Sequence, residues 1–249
     1  MIIAKSAAEI EVMREAGRIT ARALDAVSSA IRPGATTADL DAIAEDVIVK
    51  AGARPAFKGY HGFPATLCTS VNDQVVHGIP GGRVLKEGEI VSVDCGAIVD
   101  GYYGDSARTF PVGHVSAEAN RLMDVTKRSL EAGIARCRPG MRLYDVSAAV
   151  QDVAEAAGFS VVREYVGHGI GRSMHEDPQV PNYGKAGTGP TLRTGMVLAI
   201  EPMINAGAAD VRSLDDGWTV VTLDGAMSAH FEHTVAVTED GPLVLTVAG

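Results

Sequence analysis

Cysteine is scarce in this chain: Cys68, Cys95 and Cys137 are its three. They are widely spaced, odd in number and form no CxxC pair, which argues against a disulfide framework and a structural zinc site. Small buried side chains are the expectation for all three. Basic residues are in the minority, with 22 Lys and Arg against 31 Asp and Glu and a formal net charge of -9. Tracking nucleic-acid phosphates or a membrane surface needs clustered cations, and none are found, so neither partner is expected. No apolar run reaches the roughly 18 residues of a membrane span, and MIIAKSAAEIEVMREAG lacks a basic-then-apolar signal pattern. A cytoplasmic location is the resulting expectation. What is present is ample core material, 46% apolar residues over a length of 249.

Ser6 to Ile31 reads as an amphipathic helix opened by a Ser6–Glu9 capping box, with Ile10, Met13, Leu24 and Val27 near one face. Arg32-Pro33-Gly34 ends it, and a second helix follows, closed by Gly52. The stretch RPGATTADLDAIAEDVIVKAG, Arg32 to Gly52, then matches RPGMRLYDVSAAVQDVAEAAG, Arg138 to Gly158, without a gap. Asp39 answers Asp145, and Asp46-Val47 answers Asp152-Val153. Downstream, LKEGEIVSVDCG resembles LRTGMVLAIEPM, so that Asp94 answers Glu201. Units this long are not solenoid repeats. They indicate one domain over 1–249 built from a duplicated half, roughly 6–110 and 116–240. Strands rich in Val and Ile between helices indicate an α+β fold with helices packed on an antiparallel sheet, the halves facing each other across a pseudo-twofold axis. The Gly-rich run Gly184 to Gly195 reads as a loop.

Asp94 and Asp105 lie in the apolar stretch VSVDCGAIVDGYYGDSARTF. Asp100-Gly101 between two apolar runs signals a two-residue hairpin. If Val99 faces Tyr102, then Asp94 faces Ala107 and Asp105 faces Gly96. The two carboxylates are then diagonal neighbours on one face, roughly 7 to 8 Å apart at the backbone. Carboxylates that close repel unless a cation lies between them. The plain alternative is that one belongs to a turn and the other pairs with Arg108 or another base. Elsewhere His168 is surrounded by glycines in VGHGIG, Glu201 ends the apolar run of AIEPM, and Glu232 sits inside the strand suggested by HFEHTVAVT. Any one of these is readable as a satisfied buried residue. Four carboxylates and an imidazole on separate apolar segments are harder to explain that way, because unpaired buried charge is costly. Their formal charge suits two divalent ions, with a bridging hydroxide as nucleophile.

In order and spacing, DCGAIVDGYYGDS, GHGIG, HEDP, IEPM and FEHTV resemble type I methionine aminopeptidases, within the wider pita-bread metallohydrolases. The resemblance spans essentially the whole chain. It implies a pita-bread fold, two pseudo-twofold halves with helices on a curved antiparallel sheet, and removal of the initiator Met from nascent chains when the second residue is small. It implies Asp94, Asp105, His168, Glu201 and Glu232 as ligands of two divalent ions, whether iron, manganese, cobalt or zinc. Asp94 and Glu232 would each be bidentate, Asp105 and Glu232 bridging, and His168 and Glu201 on the second metal. Glu201 would also accept the proton of the attacking water. His77 would lie near the substrate N-terminus and its scissile amide, and His175 would donate to the carbonyl oxygen.

The resemblance also maps a Met side-chain pocket onto Tyr60, Phe63, Cys68 and Trp218; rings and a thiol suit a thioether. Phe57 and Phe63 stand where many members have Cys and Tyr, which leaves the pocket's shape open. Partners implied are nascent N-termini beginning with Met, and the ribosome by role, although no basic patch identifies it. Proline-specific peptidases of the same fold carry a further N-terminal domain for which this chain has no room, and a non-catalytic relative would be expected to have lost ligands.

Overall fold

The computed structural model describes residues 2–248. Helix α1 (Ala7–Ala30) opens on the expected capping box: the Ser6 N–H donates to Glu9 Oε2 at 2.8 Å, and the Glu9 N–H donates to Ser6 Oγ at 3.4 Å. Its buried face includes Ile10, Met13, Leu24 and Val27. Helix α2 (Thr37–Lys50) packs against α1, and helix α3 (Ala117–Ala135) packs in the same way against α4 (Leu143–Ala156).

The two matching sequence stretches fold alike in detail. The Gly34 N–H donates to the Leu85 carbonyl at 2.9 Å, and the Gly140 N–H donates to the Leu192 carbonyl at 2.9 Å. Leu85 and Leu192 return bonds to Ala35 and Met141, both at 2.8 Å. Thr36 forms an isolated bridge with Val84, as Arg142 does with Thr191. In the first turn of each following helix an aspartate, Asp39 or Asp145, then accepts the cap residue's N–H.

Between the helix pairs the strands form antiparallel groups. A four-stranded sheet holds Arg54–Pro55, Leu67–Val71, Ile90–Val99 and Tyr102–Pro111. A five-stranded sheet holds Gly167–Gly169, Glu176–Val180, Val197–Ile200, His233–Thr238 and Gly241–Val244. Two three-stranded sheets flank them. The hairpin has the anticipated register, Asp94 opposite Ala107 and Gly96 opposite Asp105. Its turn has φ 49° at Asp100 and 81° at Gly101, the paired positive angles that make Asp-Gly suitable. Val91, Val93, Cys95 and Ala97 point into the core formed with α1 and α2. By the two-residue period of a strand, Ser92, Asp94 and Gly96 face the other half of the molecule.

Hydroxyl groups join the two halves where their sheets meet. Thr234 Oγ1 donates to the Asp105 carbonyl at 2.8 Å and accepts the Asp105 N–H at 3.0 Å. Thr109 Oγ1 stands in the same double relation to the backbone of His230, at 2.8 Å each way. Ser106 Oγ donates to the Glu232 carbonyl at 2.7 Å, and the Glu232 N–H donates to the Ala107 carbonyl at 2.8 Å. Glu232 is therefore not inside a strand. It lies between Ser228–His230 and His233–Thr238, because its amide turns toward Ala107 before the ladder begins at His233.

Replacing Thr234 by Val keeps the shape and removes the hydroxyl, leaving a buried N–H and carbonyl of Asp105 unpaired. We expect urea unfolding to show a loss of about 1–3 kcal/mol.

Candidate metal centre

The sheet junction brings the five suspected ligands to the wall of one cavity of about 480 Å³. Asp94 and Asp105 come from the hairpin, His168 from the short strand Gly167–Gly169, and Glu201 follows Val197–Ile200 directly. Ligand atoms of Asp105, His168 and Glu232 all lie within 4.8 Å of one another. His168 Nε2 is 3.5 Å from Glu201 Oε1.

The glycines of GHGIG permit this crowding. A Cβ at Gly167 would lie 2.4 Å from the Ala199 carbonyl oxygen, and one at Gly169 would lie 2.1 Å from that of Asp177. His168 Nδ1 contacts the Gly169 carbonyl at 2.9 Å, so it carries the proton and leaves the Nε2 lone pair free. The Asn182 amide donates to the Glu201 carbonyl at 3.0 Å and holds that segment in place.

The electrostatics follow from burial. Burial raises Asp94 well above the ordinary carboxylate value, with Asp105 and Glu201 adding to the shift. Burial raises Glu201 and Glu232 in the same way, with Asp105 the first contributing neighbour. Asp105 is pushed up to about 7 by burial, against a hydrogen bond with Asp94 that lowers it. Arg108, the base named as a possible partner for one of the two aspartates, is engaged elsewhere: its Nη1 pairs with Asp25 at 2.7 Å. Asp94 Oδ1, Asp105 Oδ1 and Glu232 Oε1 are buried with no hydrogen-bond partner. Orphaned carboxylate oxygens beside an imidazole lone pair are a donor set suited to divalent cations. These residues therefore fit such an ion.

The rest of the cavity is apolar and aromatic. Phe63 meets Trp218 edge to face at a ring separation of 5.0 Å, and Cys68, Met174 and Phe57 continue the wall. Cys68, Cys95 and Cys137 are all free and buried. His77 also lines the cavity, its backbone at φ 61°. Burial lowers His77 to about 4, and His175 adds to the shift. Burial in the wall also lowers His175, with His61 contributing. Tyr60 Oη is 2.7 Å from His175 Nδ1. Burial raises the Tyr60 pKa, and where the phenol is the donor in this contact Nδ1 is the acceptor. His175 is then the tautomer that bears its proton on Nε2.

Each residue picked from the sequence reaches this cavity. Phe57, noted from the sequence as a departure in the pocket region, lines it too. Four participants went unrecognised: His61, Met174, His230 and Asn182. His230 Nε2 is 3.6 Å from Glu201 Oε2 and has no hydrogen-bond partner. A signal existed for His230, which sits two residues before Glu232, and for Met174, which adjoins His175. His61 lies in an irregular segment without periodicity.

The raised carboxyls predict a pH dependence for metal-stripped protein. A carboxyl whose folded value exceeds its unfolded one stabilises fully below the unfolded value, and that contribution is lost as pH rises through the folded value. For Asp105 the window runs from 3.8 to about 7. His77 and His168, lowered to about 4 from 6.5, act in the opposite sense and only below 6.5. Between pH 6.5 and about 7 the carboxyls therefore prevail. We expect the melting temperature to fall across that interval, and a divalent cation to raise it most at the upper end.

Residues 11–239 match metallopeptidase family M24. The chain is 55% identical to the methionine aminopeptidase of Clostridium perfringens, over 99% of each chain. It superposes on the crystal structure of the methionine aminopeptidase from Thermotoga maritima with a TM-score of 0.98 at 50% identity, covering 99% of this chain and 100% of that one. A prolidase from Pyrococcus horikoshii, 23% identical, shares the fold with a TM-score of 0.81, this chain spanning 65% of its length. Relatives that cover the chain end to end, on a fold whose sheet junction gathers four carboxylates and an imidazole, leave one assignment: the chain belongs to metallopeptidase family M24.

Proposed function

We propose that this chain is a metal-dependent methionyl aminopeptidase, which removes the initiator Met from nascent chains and peptides whose second residue is small. The observation that carries this reading is the adjacency of two features: orphaned carboxylates that need cations, and an aromatic, thiol-bearing wall that suits a thioether. The N-terminal Met side chain would lie against Tyr60, Phe63, Cys68 and Trp218. Its scissile carbonyl would then reach the carboxylates. We read the whole of 1–249 as one catalytic unit, its two halves meeting at this cavity.

In this reading Asp94, Asp105, His168, Glu201 and Glu232 hold two divalent cations. When bound, these supply Lewis acidity toward the carbonyl and a water acidic enough to attack at neutral pH. Glu201 would receive the water's proton and return it to the leaving amine, the two halves of a general base and general acid role. His175 donates from Nε2 to the carbonyl oxygen as charge develops there, with Tyr60 fixing the tautomer. His77, kept neutral by burial, borders the scissile amide. The substrates emerge from the ribosome, where we infer the protein acts.

The test is release of free Met from Met-Ala-Ser by chelator-stripped protein, before and after each of iron, manganese, cobalt and zinc is restored. Met-Lys-Ser and Ala-Pro-Ala serve as controls. We expect metal-dependent cleavage of Met-Ala-Ser alone; cleavage of Ala-Pro-Ala instead would transfer the site to proline-specific chemistry. Replacing His175 by Ala should lower kcat about 100- to 1,000-fold, the usual cost of losing a donor to developing charge.

A further inference from the structure

Lys5, in the segment leading into α1, is nearly inaccessible. Its Nζ lies 2.6 Å from Glu176 Oε2, with side-chain exposures of 4% and 11%. The Lys5 N–H donates to the Gly195 carbonyl at 2.7 Å, and Nζ also donates to the Ile3 carbonyl at 3.1 Å. The slot for this pair is built by a glycine. A Cβ at Gly171 would lie 2.5 Å from Lys5 Cε and 2.6 Å from Glu176 Oε1.

The other oxygen of the same carboxylate closes a turn. Glu176 Oε1 accepts the Ser173 N–H at 3.2 Å, spanning Met174 and His175, both of which line the cavity. The near end of this turn is tied to the hairpin, where the Tyr103 N–H donates to the Gly171 carbonyl at 2.9 Å. Arg172 stacks 4.3 Å over the ring of Tyr102. Glu176 holds the far end, and among the described residues Lys5 is the one that pairs with its charge. His175 has one side-chain hydrogen bond besides, to Tyr60. It also lies against the His168 ring, with centroids 4.3 Å apart.

We propose that Lys5 is a positioning residue for His175, acting through Glu176 and the Ser173–Glu176 turn. The proposal rests on the reading of His175 as the donor to the carbonyl oxygen. Without Lys5 the charge of this largely enclosed carboxylate is left without its cation, so it turns toward solvent, releases the Ser173 N–H and lets the turn relax. A misplacement of about 1 Å at a reacting group is enough to cost about 100-fold in rate. Because the donor acts on charge that develops only in the transition state, the loss falls on kcat and not on KM.

The test is a mutant cycle on the metal-loaded protein, with Lys5→Met and His175→Ala singly and combined, kcat and KM read for Met-Ala-Ser, and fold checked by melting. Lys5→Met should lower kcat about tenfold with KM within about twofold, and should lower kcat no further in the His175→Ala background. An unchanged kcat in Lys5→Met, or an equal loss in both backgrounds, would overturn the positioning role while leaving the catalytic reading of His175 intact. Full activity in His175→Ala alone would overturn both. If Lys5→Met does not fold, Glu176→Ala, which removes the acceptor of the Ser173 N–H, enters the same cycle with the same expected pattern.

Discussion

Several carboxylates are held together at the junction of the two halves, and the rest of the structure is arranged around that repulsion. Burying one carboxylate without a partner costs several kcal/mol, and adding a like charge beside it costs more. Among the described residues no lysine or arginine lines the centre; Arg108, the suspect named from the sequence, is held by Asp25. The charge is relieved in two ways, by protons when pKa values rise and by cations when they are present. Function follows from the second.

Holding such a site open requires a scaffold that does not collapse onto it. The hairpin presents Asp94 and Asp105 from a strand pair whose opposite face is locked into the core against α1 and α2. Hydroxyls of Thr109, Ser106 and Thr234 join that hairpin to the second half through backbone atoms, so side-chain carboxylates are left unspent. The imidazoles are oriented by their unused nitrogens, His168 by a carbonyl and His175 by a phenol. The N-terminal segment reaches the same region through Lys5.

Much of this was legible in the sequence because it depended on short-range rules. The Asp-Gly turn set the hairpin register, and the register placed both aspartates on one face. The repeated RPG stretches announced two like halves, seen in the matching bonds of Gly34 to Leu85 and Gly140 to Leu192. Residues that act across the junction were harder to find. Asn182 lies in a loop outside the motifs and His230 beside one of them, and their relation to Glu201 exists only after folding. Glu232 was assigned to a strand because apolar alternation runs through it, whereas its amide bonds to Ala107 and interrupts the ladder. Nothing local to Lys5 signals its burial, which depends on a glycine far along the chain.

Anomalous diffraction from crystals grown with manganese tests the central claim most directly. Two peaks are expected in the cavity, beside the carboxylates of Asp94, Asp105, Glu201 and Glu232 and the His168 imidazole. Absence of any peak there, or peaks only at other sites on the molecule, would contradict it and leave the buried carboxylates to be explained by shared protons alone.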